Sequence, residues 1–433
     1  MNGDDSEAEF LANNPFQGHA QFETSVIEMK LFRAIKDIDA CKRAPQRICG
    51  DLAVWRHGNR AAFEELYPIF EANWTFGGGG LGELTPLGMS QMNDLGRMFR
   101  RIYVEEQQFL SQKYVAKEIY VASTNSNRTI ISAMSLLYGL FPPGAWNLPG
   151  VDYPINPNWQ PGFTFVPIHP DDHTTCVAGL PCSCARFNEL QEKGAELPEV
   201  QTTMAKMLAM NSRIAVLYNI TADPNALWTF PDAWKMQRVW FNETLYRELP
   251  FYSEQLYREV LTTFKPFKQM MGGTFENSSQ IDKIDISHET MVIQSGSFLN
   301  ELYNRAQEKA NCIRAGKNCT GYLKPLKFYG YSSHDLVLYT LLVPLGLSDL
   351  VTSLDGWPDT AAALTIEMYS NPGGQFFVKL LYRDNSLEDF NDVTGRVCNG
   401  TVYCRLEDFE KVVRMVEPLP DFQTKGIARP NRT

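Results

Sequence analysis

The chain has 433 residues, 44% hydrophobic and 21% charged, an ordinary globular composition that excludes collagen-like and wholly disordered readings. With 40 Lys+Arg against 50 Asp+Glu the formal charge is −10, which excludes a nucleic-acid-binding surface over the whole molecule but not one small cationic pocket. At about 150 residues per domain the length corresponds to two or three structural units. No uncharged apolar run reaches the roughly 18 residues needed to span a bilayer; the nearest, 336–354, is broken by Pro344 and Asp349.

Residues 1–21 are polar and acidic, with a breaker at Asn13-Asn14-Pro15. A helical pattern follows at about 22–40 (Val26, Met29, Phe32, Ile35, Ile38), so 1–49 reads as an N-terminal extension with one helix. Leu52-Ala53-Val54-Trp55 reads as a buried strand that runs into Arg56-His57-Gly58-Asn59-Arg60. Gly77 to Gly82 satisfies G-x-G-x-x-G, but Asn73-Trp74-Thr75-Phe76 is a poor strand and the next helix begins only after Thr85. A loop near a substrate mouth is therefore the better reading than a dinucleotide site. Thr85 as N-cap with Pro86 at N1 opens a helix towards Tyr103. A second strand, Ile119-Tyr120-Val121-Ala122, leads through Ser123-Thr124-Asn125-Ser126-Asn127-Arg128-Thr129 into a helix ending at Pro142-Pro143.

Residues 150–290, rich in Pro, Trp and helical pattern, read as an inserted, mainly helical cap whose Trp228, Phe230, Trp234, Trp240 and Phe241 pack its own core. The third unit is Phe328-Tyr329-Gly330-Tyr331, then Ser332-Ser333-His334-Asp335 and an apolar helix from Leu336. Runs 363–368 and 375–382 flank Asn371-Pro372-Gly373-Gly374 as a hairpin. Alternating strand–helix units imply an α/β fold with a mixed sheet flanked by helices. Its core would be built from 50–150 and 290–410, leaving 411–433 as a C-terminal tail.

Nine cysteines fall in close sets: Cys41/Cys49, Cys312/Cys319, Cys398/Cys404 and the trio Cys176, Cys182, Cys184. Such spacings suit small disulfide-closed loops in an oxidising compartment, with one thiol left over and the connectivity open. His169 and His173 with the trio offer a zinc alternative, but Pro170 and the irregular spacing favour disulfides. Eight N-x-[ST] sequons, at Asn73, Asn127, Asn219, Asn242, Asn277, Asn318, Asn399 and Asn431, point with the cysteines to a secreted or lysosomal glycoprotein. The start, Met-Asn-Gly-Asp-Asp-Ser-Glu, lacks the basic and apolar regions of a signal peptide, so the compartment reading expects a leader ahead of it. His19, His169, His173 and His288 sit in no motif, and hydrogen-bonding roles are their default.

Ligands of open α/β sheets bind at the carboxyl ends of the strands. The three strands here deliver Arg56, His57 and Arg60, then Arg128, then His334 and Asp335 to that edge. An acidic protein that gathers three arginines and two histidines there is building an anion site, and arginine forks suit phosphate oxygens. The residue types match phosphate monoester hydrolysis: a histidine nucleophile, arginines on the transferring phosphoryl group and a carboxylic acid for the leaving alkoxide. No metal or cofactor is demanded.

These segments resemble a known family. Arg56-His57-Gly58-Asn59-Arg60 is similar to the R-H-G-x-R-x-P signature of the histidine acid phosphatases (branch 2 of the histidine phosphatases). Ser123 to Thr129 resembles their S-T-D-x-x-R-T, and Tyr331-Ser332-Ser333-His334-Asp335 their Y-S-A-H-D. Lesser likenesses lie at Leu84-Thr85-Pro86-Leu87-Gly88 and Gly139-Leu140-Phe141-Pro142-Pro143, and the animal secreted or lysosomal acid phosphatases look closest. The resemblance implies a phosphoglycerate mutase-like mixed-sheet core with a helical cap, often a homodimer, acting on small phosphomonoesters. It implies His57 as the phosphorylated nucleophile, Asp335 as proton donor, and Arg56, Arg60, Arg128 and His334 as phosphate ligands. Two positions depart from the pattern: Ala62 replaces the signature proline, and Asn125 the aspartate, removing a charge near the arginines. A changed pH profile or specificity is expected from Asn125, and an unmodified Asn127 because a glycan there would block the pocket.

Two other functions compete. One is a specialised phosphatase for inositol phosphates or lysophosphatidate, the former disfavoured by sparse basic residues at 150–235. The other is a non-catalytic secreted protein on the same scaffold, disfavoured by the intact catalytic set.

Overall fold

The computed structural model describes residues 47–73, 79–171 and 185–418. The expected N-terminal helix, His19, His173, Cys41, Cys176, Cys182 and Cys184 lie outside the described residues. The described residues all belong to the unit that begins at Arg47.

Strand β1 (Arg47–Arg56) lies inside an eight-stranded mixed sheet. It pairs in parallel with β6 (Phe328–Ser333), which pairs in parallel with β2 (Ile119–Thr124). On its other side β1 runs antiparallel to β7 (Ala363–Ser370), which forms the expected hairpin with β8 (Phe376–Arg383). The short strands β9 (Asn391–Asp392) and β10 (Cys404–Arg405) add to β8. The run Leu52–Trp55 is apolar on both faces because both are covered. Ala53 and Trp55 pack with helices α1 (Pro86–Phe99) and α2 (Asn127–Leu140), while Leu52 and Val54 pack on the opposite layer, described below. Helix α1 starts as expected, with Thr85 Oγ1 accepting from the Gly88 N–H and Pro86 in the first turn. It continues past Phe99 as a π-helical stretch, Arg100–Glu106.

The cap holds α3 (Ala185–Gly194), α4 (Pro198–Tyr218), α5 (Thr229–Glu248) and α6 (Glu254–Met271). Its apolar centre joins Met207, Ile214, Phe230, Trp234, Leu261 and Phe264, and takes in Ala62 and Leu66 from the loop after β1. A two-stranded hairpin, β4 (Gln280–Ile281) and β5 (Ile284–Asp285), and the short α7 (Ile286–Met291) lead back to the core. There α8 (Ser297–Ala315) and α9 (Asp335–Leu342) form the second layer with α11 (Leu406–Arg414), after the one-turn α10 (Thr394–Val397).

Several details differ from the sequence expectation. β3 (His169–Asp171), inside the span read as cap, joins the main sheet beside β2 with Ala122 opposite His169. Three residues containing a proline, on an edge, leave no alternation to read. At the other end, Phe409 and Val413 of α11 are buried in the core, so the packed chain extends beyond residue 410. Cys312–Cys319 and Cys398–Cys404 are disulfides, as their spacing suggested, whereas Cys49 has no disulfide partner among the described residues, Cys41 lying outside them. Among the described residues no helix is long and apolar enough to cross a membrane.

One buried feature has no counterpart in the motif pattern. Asp51 of β1 faces Glu367 of β7 in register, and both are almost wholly buried with the Tyr103 hydroxyl beside them. Burial raises both carboxyl pKa values, and Glu367 raises that of Asp51 further; Tyr369, donating to Glu367, and Lys379 only moderate the rise at Glu367. A folded-state pKa above the unfolded value means that the native state holds the extra proton. Stability is then full below the unfolded value near pH 4 and declines as pH rises through the raised values. Asp51→Asn should leave thermal stability unchanged at about pH 4 and raise it at pH 7.5 by on the order of 1–3 kcal/mol, measured by unfolding at both pH values.

Candidate active site

The carboxyl ends of β1, β6 and β2 meet at one edge, and backbone bonds lock them together. The His57 N–H donates to Ser333 O at 3.0 Å and the Arg56 N–H to Ala362 O at 2.9 Å. Beyond His57 the chain crosses the start of α1 so closely that a Cβ on Gly58 would lie 2.3 Å from the Gly88 carbonyl oxygen. Glycine at both positions is what permits the crossing. Asn59 seals it: its side-chain oxygen accepts from Thr85 Oγ1 at 2.7 Å and from Trp240 Nε1 of the cap at 2.9 Å.

His57 is buried, and its Nδ1 lies 2.8 Å from its neighbour's carbonyl, Gly58 O. That contact requires Nδ1 to carry the proton, leaving Nε2 with its lone pair. Burial, and after it the charges of Arg56 and Arg128, hold its pKa well below the usual imidazole value, so the ring is neutral. The His334 ring stands edge-on to it, centroids 5.6 Å apart, with Nε2 at 2.9 Å from Thr124 Oγ1. Burial, then Arg128, lowers the His334 pKa to about 3.

Arg56 is pinned by Asp335 (Nη2 to Oδ2, 2.7 Å) and by the Pro358 carbonyl (2.7 Å), with Asp359 at 3.8 Å. Asp335 opens α9 and accepts from the Leu336 N–H at 2.9 Å. Burial would raise its pKa, but Arg56, Lys268, His57 and Arg60 outweigh burial and hold it well below the usual carboxylate range. Arg60 is gripped by both oxygens of Asp232, on cap helix α5, at 2.6 and 3.1 Å, and lies over the Phe63 ring at 3.6 Å. Arg128 approaches the same ring at 5.1 Å, its pKa lowered to about 10 by burial and then by Arg60. The Nε–H groups of Arg56, Arg60 and Arg128 are all buried and meet no acceptor among the described residues. Buried donors of this kind are costly unless an acceptor fills the space between them.

The six residues expected from the sequence are thus brought together. Of the two departures, Asn125 is exposed, and Ala62 is buried in the cap cluster with its backbone N–H facing the buried Glu71 carboxyl, a donor that proline would lack. Asn127 is exposed and donates to Glu83 at 3.0 Å. Gly82, at the end of the glycine run, lies against Phe63 and Arg128 at the pocket wall. Of the metal cluster weighed at 169–184, only His169 lies among the described residues, where it stacks on Tyr120 with centroids 4.3 Å apart. Sequence reasoning missed Phe63, Asp232 and Asn59. It also assigned Trp240 to the cap's interior, where the structure has it reaching Asn59 instead. A carboxylate more than 170 residues from its arginine leaves no local pattern to find.

Comparison with known proteins agrees with the geometry. The family model described as "Histidine phosphatase superfamily (branch 2)" matches residues 52–383. A Caenorhabditis elegans protein named "Putative acid phosphatase" is 57% identical over 374 residues, 86% of each chain. Bovine prostatic acid phosphatase is 27% identical over 398 residues, 89% of each. Among solved structures, phytases of Citrobacter braakii and Hafnia alvei superpose with TM-scores of 0.55 and 0.54 at 13% and 14% identity, covering 87% of this chain and 99% and 98% of theirs. At that identity the likeness is one of fold. Matched over most of its length, with its three motif segments meeting at one sheet edge, the chain belongs to branch 2 of the histidine phosphatase superfamily.

Proposed function

We propose that this protein is an acid phosphatase that hydrolyses small phosphate monoesters through a phosphohistidine on His57, without a metal ion. The observation that carries the reading is the uncharged His57, close enough to Arg56, Arg128 and Arg60 to feel their charges, whose buried Nε–H groups meet no acceptor among the described residues. A phosphoryl group there meets a nucleophile and the charges its oxygens need.

His57 Nε2 attacks phosphorus, and the P–O bond to the leaving group breaks. The three arginines hold the equatorial oxygens, and Asp335 gives its proton to the departing alkoxide. Water then attacks phosphorus and gives a proton to Asp335, the P–N bond breaks with its electron pair returning to His57 Nε2, and phosphate leaves with the imidazole restored. The ionised Asp335 of the free enzyme fits this cycle because bound phosphoryl oxygens compete for Arg56 and add negative charge beside the carboxyl. Both effects raise its pKa. His334, neutral in the free enzyme, gains a proton for the same reason and becomes a further phosphate donor. Asp232 brings a carboxylate to the mouth, which favours a single phosphate over a highly phosphorylated ring. The two disulfides and the sequons support a secreted or lysosomal setting.

Hydrolysis of p-nitrophenyl phosphate should proceed with EDTA present, and His57→Ala should lower it by at least about 10⁴-fold and remove the acid-quenched phosphoenzyme. Correctly folded wild-type protein with no turnover would leave the non-catalytic scaffold in first place. Because burial and the arginines depress the His57 pKa, kcat/KM should persist well below pH 6.5, where an ordinary imidazole would be protonated. Asp335→Asn should cost about 10²–10⁴ in kcat on an alkyl monoester and far less on p-nitrophenyl phosphate, whose leaving group needs no proton. Asn125→Asp, at an exposed position, should change kcat/KM by no more than about twofold.

A further inference from the structure

The site is tied to the cap by buried charges that no catalytic role accounts for. Lys235 of α5 and Lys268 of α6 both reach Asp355 in the segment between α9 and β7. Lys235 Nζ is 2.7 Å from Oδ1, and Lys268 Nζ contacts Oδ2. Ser353 Oγ also donates to Asp355, at 2.9 Å. The same segment is sewn to α6 by Trp357 Nε1 donating to Lys268 O at 2.9 Å, with the Lys268 ammonium 4.5 Å from the Trp357 ring centroid. It then presents Pro358 O and Asp359 to Arg56, and Asp359 is shared with Lys235 at 3.6 Å. The chain of contacts runs Lys268–Asp355–Lys235–Asp359–Arg56–Asp335, from two cap helices to the acid at the sheet edge.

We propose that Lys268, with Lys235 beside it, is a positioning residue of the phosphoryl site: the two cap lysines hold the 353–359 segment that seats Arg56 against Asp335, and so set when Asp335 can give up its proton. Burying two ammonium groups is costly, and a single carboxylate shared between them is a poor way to stabilise a cap interior that apolar residues would fill. A role in the reaction accounts for their presence better. The titratable and charged groups facing Asp335 are Arg56 at the end of β1, His57 and Arg60 after it, Arg128 on α2, its neighbour His334, and Lys268 from the cap. Lys268 is the cation of that set that belongs to the cap, so seating the cap adds positive charge at the acid. This inference rests on the phosphatase reading above.

The test is the pH dependence of kcat on two substrates, an alkyl monoester whose alkoxide must be protonated and p-nitrophenyl phosphate. Lys268→Met removes a cation from Asp335, so the alkaline limb for the alkyl ester should move to higher pH. Lys268→Arg should return the limb towards the wild-type position. Asp359→Asn, at a half-exposed position that can be changed without unfolding the cap, removes an anion beside Arg56 and should move the limb to lower pH. Turnover of p-nitrophenyl phosphate at its optimum should stay within about threefold in all three. Opposite shifts from the two charge removals, with rescue by arginine, are the expected result. Equal losses on both substrates with no displacement of the limb would overturn it and leave the lysines a purely structural clamp. If Lys268→Met does not fold, an unmoved limb in Asp359→Asn overturns the proposal alone. A wild-type protein with no phosphoenzyme overturns this inference and the phosphatase reading together, whereas a wild-type limb that no variant moves overturns only the inference.

Discussion

The ion pair between Arg56 and Asp335 is the contact on which the site depends. It joins the end of β1 to the start of α9, two elements brought side by side because β1 and β6 pair in parallel, Arg56 opposite Ser333. Within a shell that also holds Arg60, Arg128 and two neutral histidines, Asp335 and the Asp232 carboxylate on Arg60 offset only part of the positive charge. Excess buried cation is tolerable only because the sheet and its helices supply enough packed apolar surface on both faces to carry the cost. The overall acidity of the chain is no contradiction. Negative charge is spread over the solvated surface, while the positive charge is concentrated where water is scarce and each charge acts strongly.

The same concentration sets the protonation states. Neutral imidazoles and an ionised aspartate are the reverse of what isolated side chains show at mildly acid pH, where histidine is charged and a carboxyl begins to protonate. The reversal follows from the arginines and from burial, and it leaves His57, the proposed nucleophile, with a free lone pair at a pH where a solvent-exposed histidine is protonated. In the proposed cycle an incoming phosphate dianion offsets the field that made the reversal, so that Asp335 becomes protonatable when a leaving group arrives.

Much of this was legible in the chain because the site is built from strand ends and the residues that follow them, so that Arg56, His57, Arg60, Arg128, His334 and Asp335 sit in three short contiguous segments. The parallel strands showed themselves as unbroken apolar runs and the hairpin as its Asn-Pro-Gly-Gly turn. What stayed hidden arises only when distant segments meet. Asp232 answers Arg60 across 172 residues, Lys268 answers Asp355 across 87, and Asp51 meets Glu367 only once the β1–β7 register is set. β3 was missed for a different reason: three residues of edge strand carry no period. Trp240 was misassigned because a tryptophan at helical spacing looks the same whether its indole N–H faces the cap or Asn59.

The carboxyl pair in the sheet and the arginine cluster at its edge respond to pH by the same physics with opposite signs. Asp51 and Glu367 are buried without a cation close enough to keep them ionised, so their pKa values rise and the fold is most secure in acid. Asp335 is buried among cations, so its pKa falls and the free site stays ionised in the same acid range. One fold thus places carboxyls of raised pKa inside the sheet and one of lowered pKa at its edge, where the proposed chemistry uses it. Burial alone would have driven all three upward, and the difference lies in whether arginine and lysine were placed within reach. A protein arranged in this way gains stability in the range of pH where its proposed nucleophile is still uncharged, and the two properties are set by separate residues that can be changed independently.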